Sequence, residues 1–226
     1  MKKSLLICVF AVLLCLSACS APVADNPGTT ETKPTASSVP ETNPTESATT
    51  ATENFEPQPG YFPIPTEPAT FTLSSGAGAW SCVIDINTDG TFTGQYEDIE
   101  AGSSGEGYKA TYYVCDFSGV FANVEKVNSY TYKVVLIDIS TAEPVGKEWI
   151  ENEIRYVASY PCGLYDPDEK QACEDFIVYL PHTPVSELPE EFLGWWPYKN
   201  QGKDTLSCYG LMNTITKDGF FYIPEA

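Results

Sequence analysis

The chain of 226 residues has one histidine, His182, one arginine, Arg155, and only 12 basic residues against 31 acidic ones. A single histidine leaves a histidine-based zinc site short of ligands. A Ser-His-Asp or Cys-His unit would have to be built on a residue in the loop Leu180-Pro181-His182-Thr183-Pro184, and a polar loop residue has many other reasons to be there. No G-x-S-x-G elbow is present, which removes the α/β-hydrolase form of that chemistry. The formal charge of −19 argues against nucleic acid and anionic lipid as partners and is read as serving solubility. The apolar run from Leu5 to Leu16 is too short for an ordinary spanning helix.

That run follows Lys2 and Lys3 and ends in small residues and a cysteine, the layout of a secretory signal. Leu16-Ser17-Ala18-Cys19 resembles the lipobox of bacterial lipoproteins. The resemblance implies cleavage of residues 1–18, lipidation of Cys19 and a place on the extracellular face of the bacterial cell membrane, where two acyl chains hold what one would release. Residues 20–68 contain ten of the chain's 18 prolines with many threonines. So little apolar surface cannot offset chain entropy, so 19–68 is expected to be a disordered stalk.

The remaining residues, 69–226, suffice for one core and are few for two. Segments rich in Val, Ile, Tyr, Phe and Thr recur between turn signals, which predicts an all-β domain with ten strands: 70–73, 80–86, 91–96, 110–117, 120–124, 130–139, 154–159, 175–180, 206–211 and 220–223. Alternation is clearest where Trp80, Cys82, Ile84 and Ile86 fall on one face. Across Asn87-Thr88-Asp89-Gly90, Phe92 and Tyr96 share a face, so a hairpin is expected, with Gly90 supplying a positive φ. The spacing Asp85-x-Asn87-x-Asp89-Gly90 also opens a calcium loop, but its twelfth position is Tyr96 rather than glutamate and its flanks read as strand. No metal site and no cofactor are therefore expected. Ser186 to Pro197 reads as a short C-terminal helix, with Pro189 at its first turn and Leu188, Phe192 and Trp195 on one face.

The segments LSSGAGAW (73–80), DGTFTGQYED (89–98), VCDFSGVF (114–121), YLPHTPVSELPEEF (179–192), YGLMN (209–213) and GFF (219–221) resemble a group of uncharacterised surface lipoproteins of Gram-positive anaerobes. That group implies one domain and a surface address, with no chemistry attached. Gly78-Ala79-Trp80 entering a strand also resembles the G-x-W opening of lipocalin-like barrels, which implies a single antiparallel barrel. The basic side chain that covers the tryptophan in that family has no clear counterpart besides Arg155 or Lys217, which keeps a β-sandwich as the alternative.

Carboxylate pairs for glycoside hydrolysis could be drawn from Glu97, Asp98, Glu100, Asp166, Asp168, Glu169, Glu174 and Asp175, although surface solvation explains each. Five cysteines follow Cys19, an odd number, and Cys162 and Cys173 bracket a short polar loop that a disulfide could close. Aromatic residues make up 13% of the chain. The expected function is a non-catalytic binding module that takes a small apolar molecule or a glycan, through Trp80, Tyr112 and Tyr132 if the interior is hollow. A secreted carboxylate-dependent hydrolase and a purely structural surface protein are the rivals.

Overall fold

A computed structural model describes residues 56–196 and 203–223. The leader, Cys19 and the stalk as far as residue 55 lie outside them. Twelve strands are formed: β1 Ala69–Ser74, β2 Trp80–Ile86, β3 Thr91–Glu100, β4 Ala110–Lys126, β5 Thr131–Thr141, β6 Glu148–Glu151, β7 Ile154–Ala158, β8 Tyr165–Asp166, β9 Gln171–Ala172, β10 Asp175–Tyr179, β11 Tyr209–Asn213 and β12 Gly219–Tyr222.

Eight of these follow one another around a ring, β1-β2-β3-β4-β5-β10-β11-β12, and β12 pairs back onto β1. Every pairing in the ring is antiparallel. The protein is thus all-β, a closed up-and-down barrel, and the sandwich alternative is overturned because the sheet closes on itself and leaves no second layer to pack against.

Closure puts alternate side chains inside. Phe71 and Leu73 from β1, Cys82, Ile84 and Ile86 from β2, Phe117 and Phe121 from β4, and Phe176 and Val178 from β10 share one buried core. Its rings are in contact: Phe121 lies 5.0 Å from Phe92 and 5.2 Å from Phe176. Phe62 and Ile64, which the composition had assigned to the stalk, are each only 2% exposed in this core. Phe62 sits 5.6 Å from Phe121 and donates its backbone N–H to Thr88 at 2.7 Å. Side chains therefore occupy the barrel axis, and the hollow interior on which an apolar-ligand site depended is not formed.

β4 is long enough to serve three partners. It runs unbroken through Ser118-Gly119, where the sequence had been divided into two strands. One edge pairs with β3, and the other pairs with β5 at its C-terminal half and, in parallel, with β7 at its N-terminal half. β6 adds to β7, so β7 and β6 form a flap beyond the barrel wall. Arg155 holds the flap by bonding Glu148 through Nε at 3.0 Å and Nη2 at 2.6 Å, and its guanidinium lies 5.7 Å from the Tyr108 ring.

The segment expected to form a C-terminal helix makes a 3-10 turn, Val185–Glu187, and a single helical turn, α1 Glu190–Gly194. Pro189 forces Leu188 to extended backbone between them, at φ −95 and ψ 140. Two strands follow, so this is a cover over β10, β11 and β12 rather than a terminal helix. Phe192, fully buried, anchors it 5.2 Å from Tyr179 and 4.9 Å from Phe221.

Candidate functional site

The expected hairpin of β2 and β3 forms, with Asp85 opposite Thr93 and Cys82 opposite Tyr96. Gly90 closes it at φ +86, donating its N–H to Asn87 at 2.9 Å. The two acidic side chains of this stretch turn to different partners. Asp85 accepts the Thr70 hydroxyl at 2.6 Å, and Asp89 accepts the N–H and hydroxyl of Thr91 at 2.9 and 2.6 Å.

The same alternation that buries Cys82 and Ile84 directs Val83 and Asp85 outward. Thr93 and Gln95 on β3, and Asp116 and Ser118 on β4, do likewise. Register places Thr93 between Asp85 and Ser118, and Gln95 between Val83 and Asp116. With Ser140, Thr141 and Ala142 they line an open groove of about 520 Å³ across the barrel wall.

The groove continues where β5 leaves β4 and β7 joins it. The Ala142 N–H still donates to Asp116 and the Ser159 N–H to Val114, each at 2.8 Å. Between them lies a notch of about 200 Å³ lined by Val114, Asp116, Ala142, Glu143, Trp149, Ala158 and Ser159. Past the notch, three half-buried rings stand in register across the flap: Trp149 opposite Tyr156, and Tyr156 opposite Tyr112. Trp149 stacks on Tyr156 at 5.2 Å and 12°, and Tyr156 meets Tyr112 edge-on at 5.8 Å. Lys147 lies 5.7 Å from the Trp149 ring and is bonded to Glu143 at 2.6 Å.

A floor of hydroxyls, one amide and carboxylates, ending against an aromatic ladder, matches the chemistry of a saccharide. Sugar hydroxyls exchange hydrogen bonds with such a floor, and the apolar C–H face of a pyranose covers a ring.

Of the three aromatic residues expected to bind, only Tyr112 belongs to this surface. Trp80 is half-buried at the start of β2, edge-on to Trp195 at 5.8 Å. Tyr132 is buried inside the barrel with the Lys126 ammonium 5.9 Å from its ring. Trp195 and Trp196 line a second groove of about 490 Å³ with Thr70, Thr72 and Ser74. Outward alternation already marked Asp85 and Gln95. Trp149 escaped because the short, acid-flanked β6 carries no strand signal of its own; Tyr156 lies within the expected strand 154–159, but without β6 nothing marked it as part of an aromatic row.

None of the eight carboxylates named for hydrolysis lines the groove or the notch. Asp166 instead caps the β8–β9 turn, accepting the N–H groups of Asp168 at 2.9 Å and Glu169 at 3.2 Å. Cys162 and Cys173 are not bonded to each other; all five described cysteines are free thiols. Cys162 packs against the barrel core, whereas the Cys173 thiol interacts with the Asn213 amide, so the two sulfurs serve different neighbours. Burial pushes the Cys162 thiol up to about 12, with Asp218 and Asp98 adding to the effect. Burial also raises Cys115 to about 11, and such thiols are poor nucleophiles at neutral pH. His182 is exposed in its loop at φ +70 and donates its N–H to Leu206 at 2.8 Å.

No protein-family model, curated protein or solved structure matches this chain.

Proposed function

We propose that this is a non-catalytic glycan-binding module, carried at the extracellular face of a bacterial membrane by a lipid on Cys19. The observation that carries the binding reading is the polar groove running into the Trp149-Tyr156-Tyr112 ladder. The filled barrel turns the choice of ligand from a small apolar molecule to a glycan. A lipocalin-like ancestry is compatible with the eight-strand closure and with the Gly78-Ala79-Trp80 opening, while Trp80 is covered by Trp195.

Glu56 lies 3.5 Å from Lys126 at the C-terminal end of β4, whereas the ladder sits at the N-terminal end of that strand.

Titration of the full chain with a panel of oligosaccharides tests the binding. Trp149→Ala and Tyr156→Ala should each weaken the bound sugar by about three- to tenfold, and Trp80→Ala should leave it unchanged. Cys19→Ser should shift the protein from the membrane fraction to the medium. Release of shortened products that stops on replacing Asp85 or Asp116 would establish the hydrolase instead. Binding to no sugar in the panel would leave a structural role.

A further inference from the structure

Resting on the glycan reading, the charge pattern of the groove specifies which class of glycan it takes. Asp85 and Asp116 line the groove, and Asp116 and Glu143 line the notch. No lysine, arginine or histidine lines either one among the described residues. The nearby ammonium of Lys147 is already bonded to Glu143 at 2.6 Å, and Arg155 is bonded to Glu148. Glu97, the next outward position on β3 after Gln95, is exposed and adds to the negative field. The chain as a whole carries −19. A sulfated, phosphorylated or uronate-rich glycan would be repelled along the whole path.

We infer that the groove binds an oligosaccharide with free amino groups, a 2-amino-2-deoxyhexose polymer, by placing its ammonium groups against Asp85 and Asp116 and an apolar sugar face against Trp149. The spacing favours a linear chain. Asp85 and Asp116 are two strands apart, β3 lying between them, and are offset by two residues in register. With strands ~4.8 Å apart and a rise of ~3.4 Å per residue, their backbones are separated by about 12 Å. That is the scale of a disaccharide repeat, in which alternate sugars of a β-1,4 chain present their amino groups on the same edge. A neutral N-acetylated chain would meet the same floor with neutral hydrogen bonds alone. Charge-assisted bonds to carboxylate are shorter and about twice as strong, so the free amine is preferred.

The test is isothermal titration of the full chain, in detergent micelles, with a β-1,4 glucosamine hexamer, its fully N-acetylated counterpart and an oligolysine of equal charge. The glucosamine hexamer should bind at least severalfold more tightly than the acetylated one and weaken as salt is raised. Asp85→Asn and Asp116→Asn should each lower its affinity about three- to tenfold while leaving the acetylated hexamer unaffected. Asn at 85 keeps an acceptor for the Thr70 hydroxyl, and an unchanged melting temperature would show that the fold is intact. Equal, salt-independent binding of the two hexamers would overturn the amino-sugar assignment and leave the glycan reading standing. Binding of neither would overturn the amino-sugar assignment, and the glycan reading would fall with it only if no sugar of the wider panel bound. If oligolysine bound as tightly as the glucosamine hexamer and Trp149→Ala weakened neither, the surface would be a nonspecific polycation binder and the proposal would fail.

Discussion

At position 90 the backbone needs φ +86, and the room for a side chain is already taken: a Cβ there would collide with the carbonyl of Phe121, the residue whose N–H donates to the Gly90 carbonyl at 2.9 Å and ties the turn to β4. Left-handed backbone alone costs a residue with a Cβ roughly 1 kcal/mol, and the collision adds to it. Gly90→Ala is therefore expected to cost about 2–3 kcal/mol, a fall of roughly 5–10 °C in Tm by scanning calorimetry. Asp85→Ala, which loses one exposed bond to Thr70, should cost far less. A different residue gives a pH signature. Burial holds the Asp218 carboxyl above its ordinary value, against the lowering effect of the Thr216 hydroxyl, which donates to it at 2.7 Å. The raised pKa means that the folded state holds this proton more tightly than the unfolded one. Stability from Asp218 is thus fully present below about 4 and is lost as pH rises through the folded pKa, so the charged form is a burden at neutral pH. Asp218→Asn should raise Tm at pH 7, and that gain should vanish near pH 3; an equal gain at both values would disprove the assignment. Gly90 was legible in advance, because Asn-Thr-Asp-Gly between alternating segments demands a turn. Asp218 was not, since nothing in Thr216-Lys217-Asp218 says how deeply the β11–β12 hairpin seats it.

Elements were readable where their own alternation is strong. β2 has the same bounds in sequence and structure, and its neighbour β3 begins where expected, because one face of each is apolar. β4 was split at Ser118-Gly119, since glycine normally weakens a strand. In the barrel that glycine makes room: a Cβ at 119 would strike the Asp138 carbonyl and the Phe92 ring. β6 was missed because Glu148 and Glu151 flank its two apolar residues, and its stability comes from pairing with β7 rather than from propensity. The β6–β7 turn also has a correctable flaw. Asn152 and Glu153 both adopt positive φ, +51 and +63, as a two-residue hairpin of this hand requires. Asn suits the first place; glutamate does not suit the second, where glycine is the usual residue. The Glu153 side chain is compensated by an ion pair with Lys109 at 2.6 Å, with both side chains well exposed, which contributes little; the Lys109 N–H bond to the Glu153 carbonyl at 2.8 Å does not depend on the side chain. Glu153→Gly should raise stability by about 0.5–1 kcal/mol in urea unfolding. A loss of stability would show that the ion pair, and not the backbone, governs this turn. Because the flap carries Trp149 and Tyr156, the change should leave ligand affinity intact or improve it.

For the whole molecule, the decisive misreading was where the fold begins. A proline-rich composition extends to Pro68, and composition alone placed everything before Ala69 outside the core. Yet Phe62 and Ile64 lie within that stretch as isolated apolar residues, without any periodicity to announce them, and the barrel takes both. Proline and burial are compatible here because the segment needs no strand ladder: Phe62 bonds Thr88 and Ile64 bonds Phe62 through single backbone contacts, and the Thr66 hydroxyl reaches Tyr222 at 2.7 Å. Both side chains lie in the shared core, Phe62 with its ring 6.4 Å from Phe71 and 5.6 Å from Phe121. Burying each contributes about 1.5–3 kcal/mol, so a chain starting at Ala69 should lose roughly 3–6 kcal/mol and melt about 10 °C or more below the full protein. A chain starting at Glu56 keeps both side chains and should melt within about 2 °C of the full protein. Parallel urea titrations of the two distinguish a plug from a spacer: equal midpoints would mean that the barrel is complete without Phe62 and Ile64. Unequal midpoints would show that the last residues of the proline-rich stretch belong to the fold, Phe62 and Ile64 being part of the barrel core.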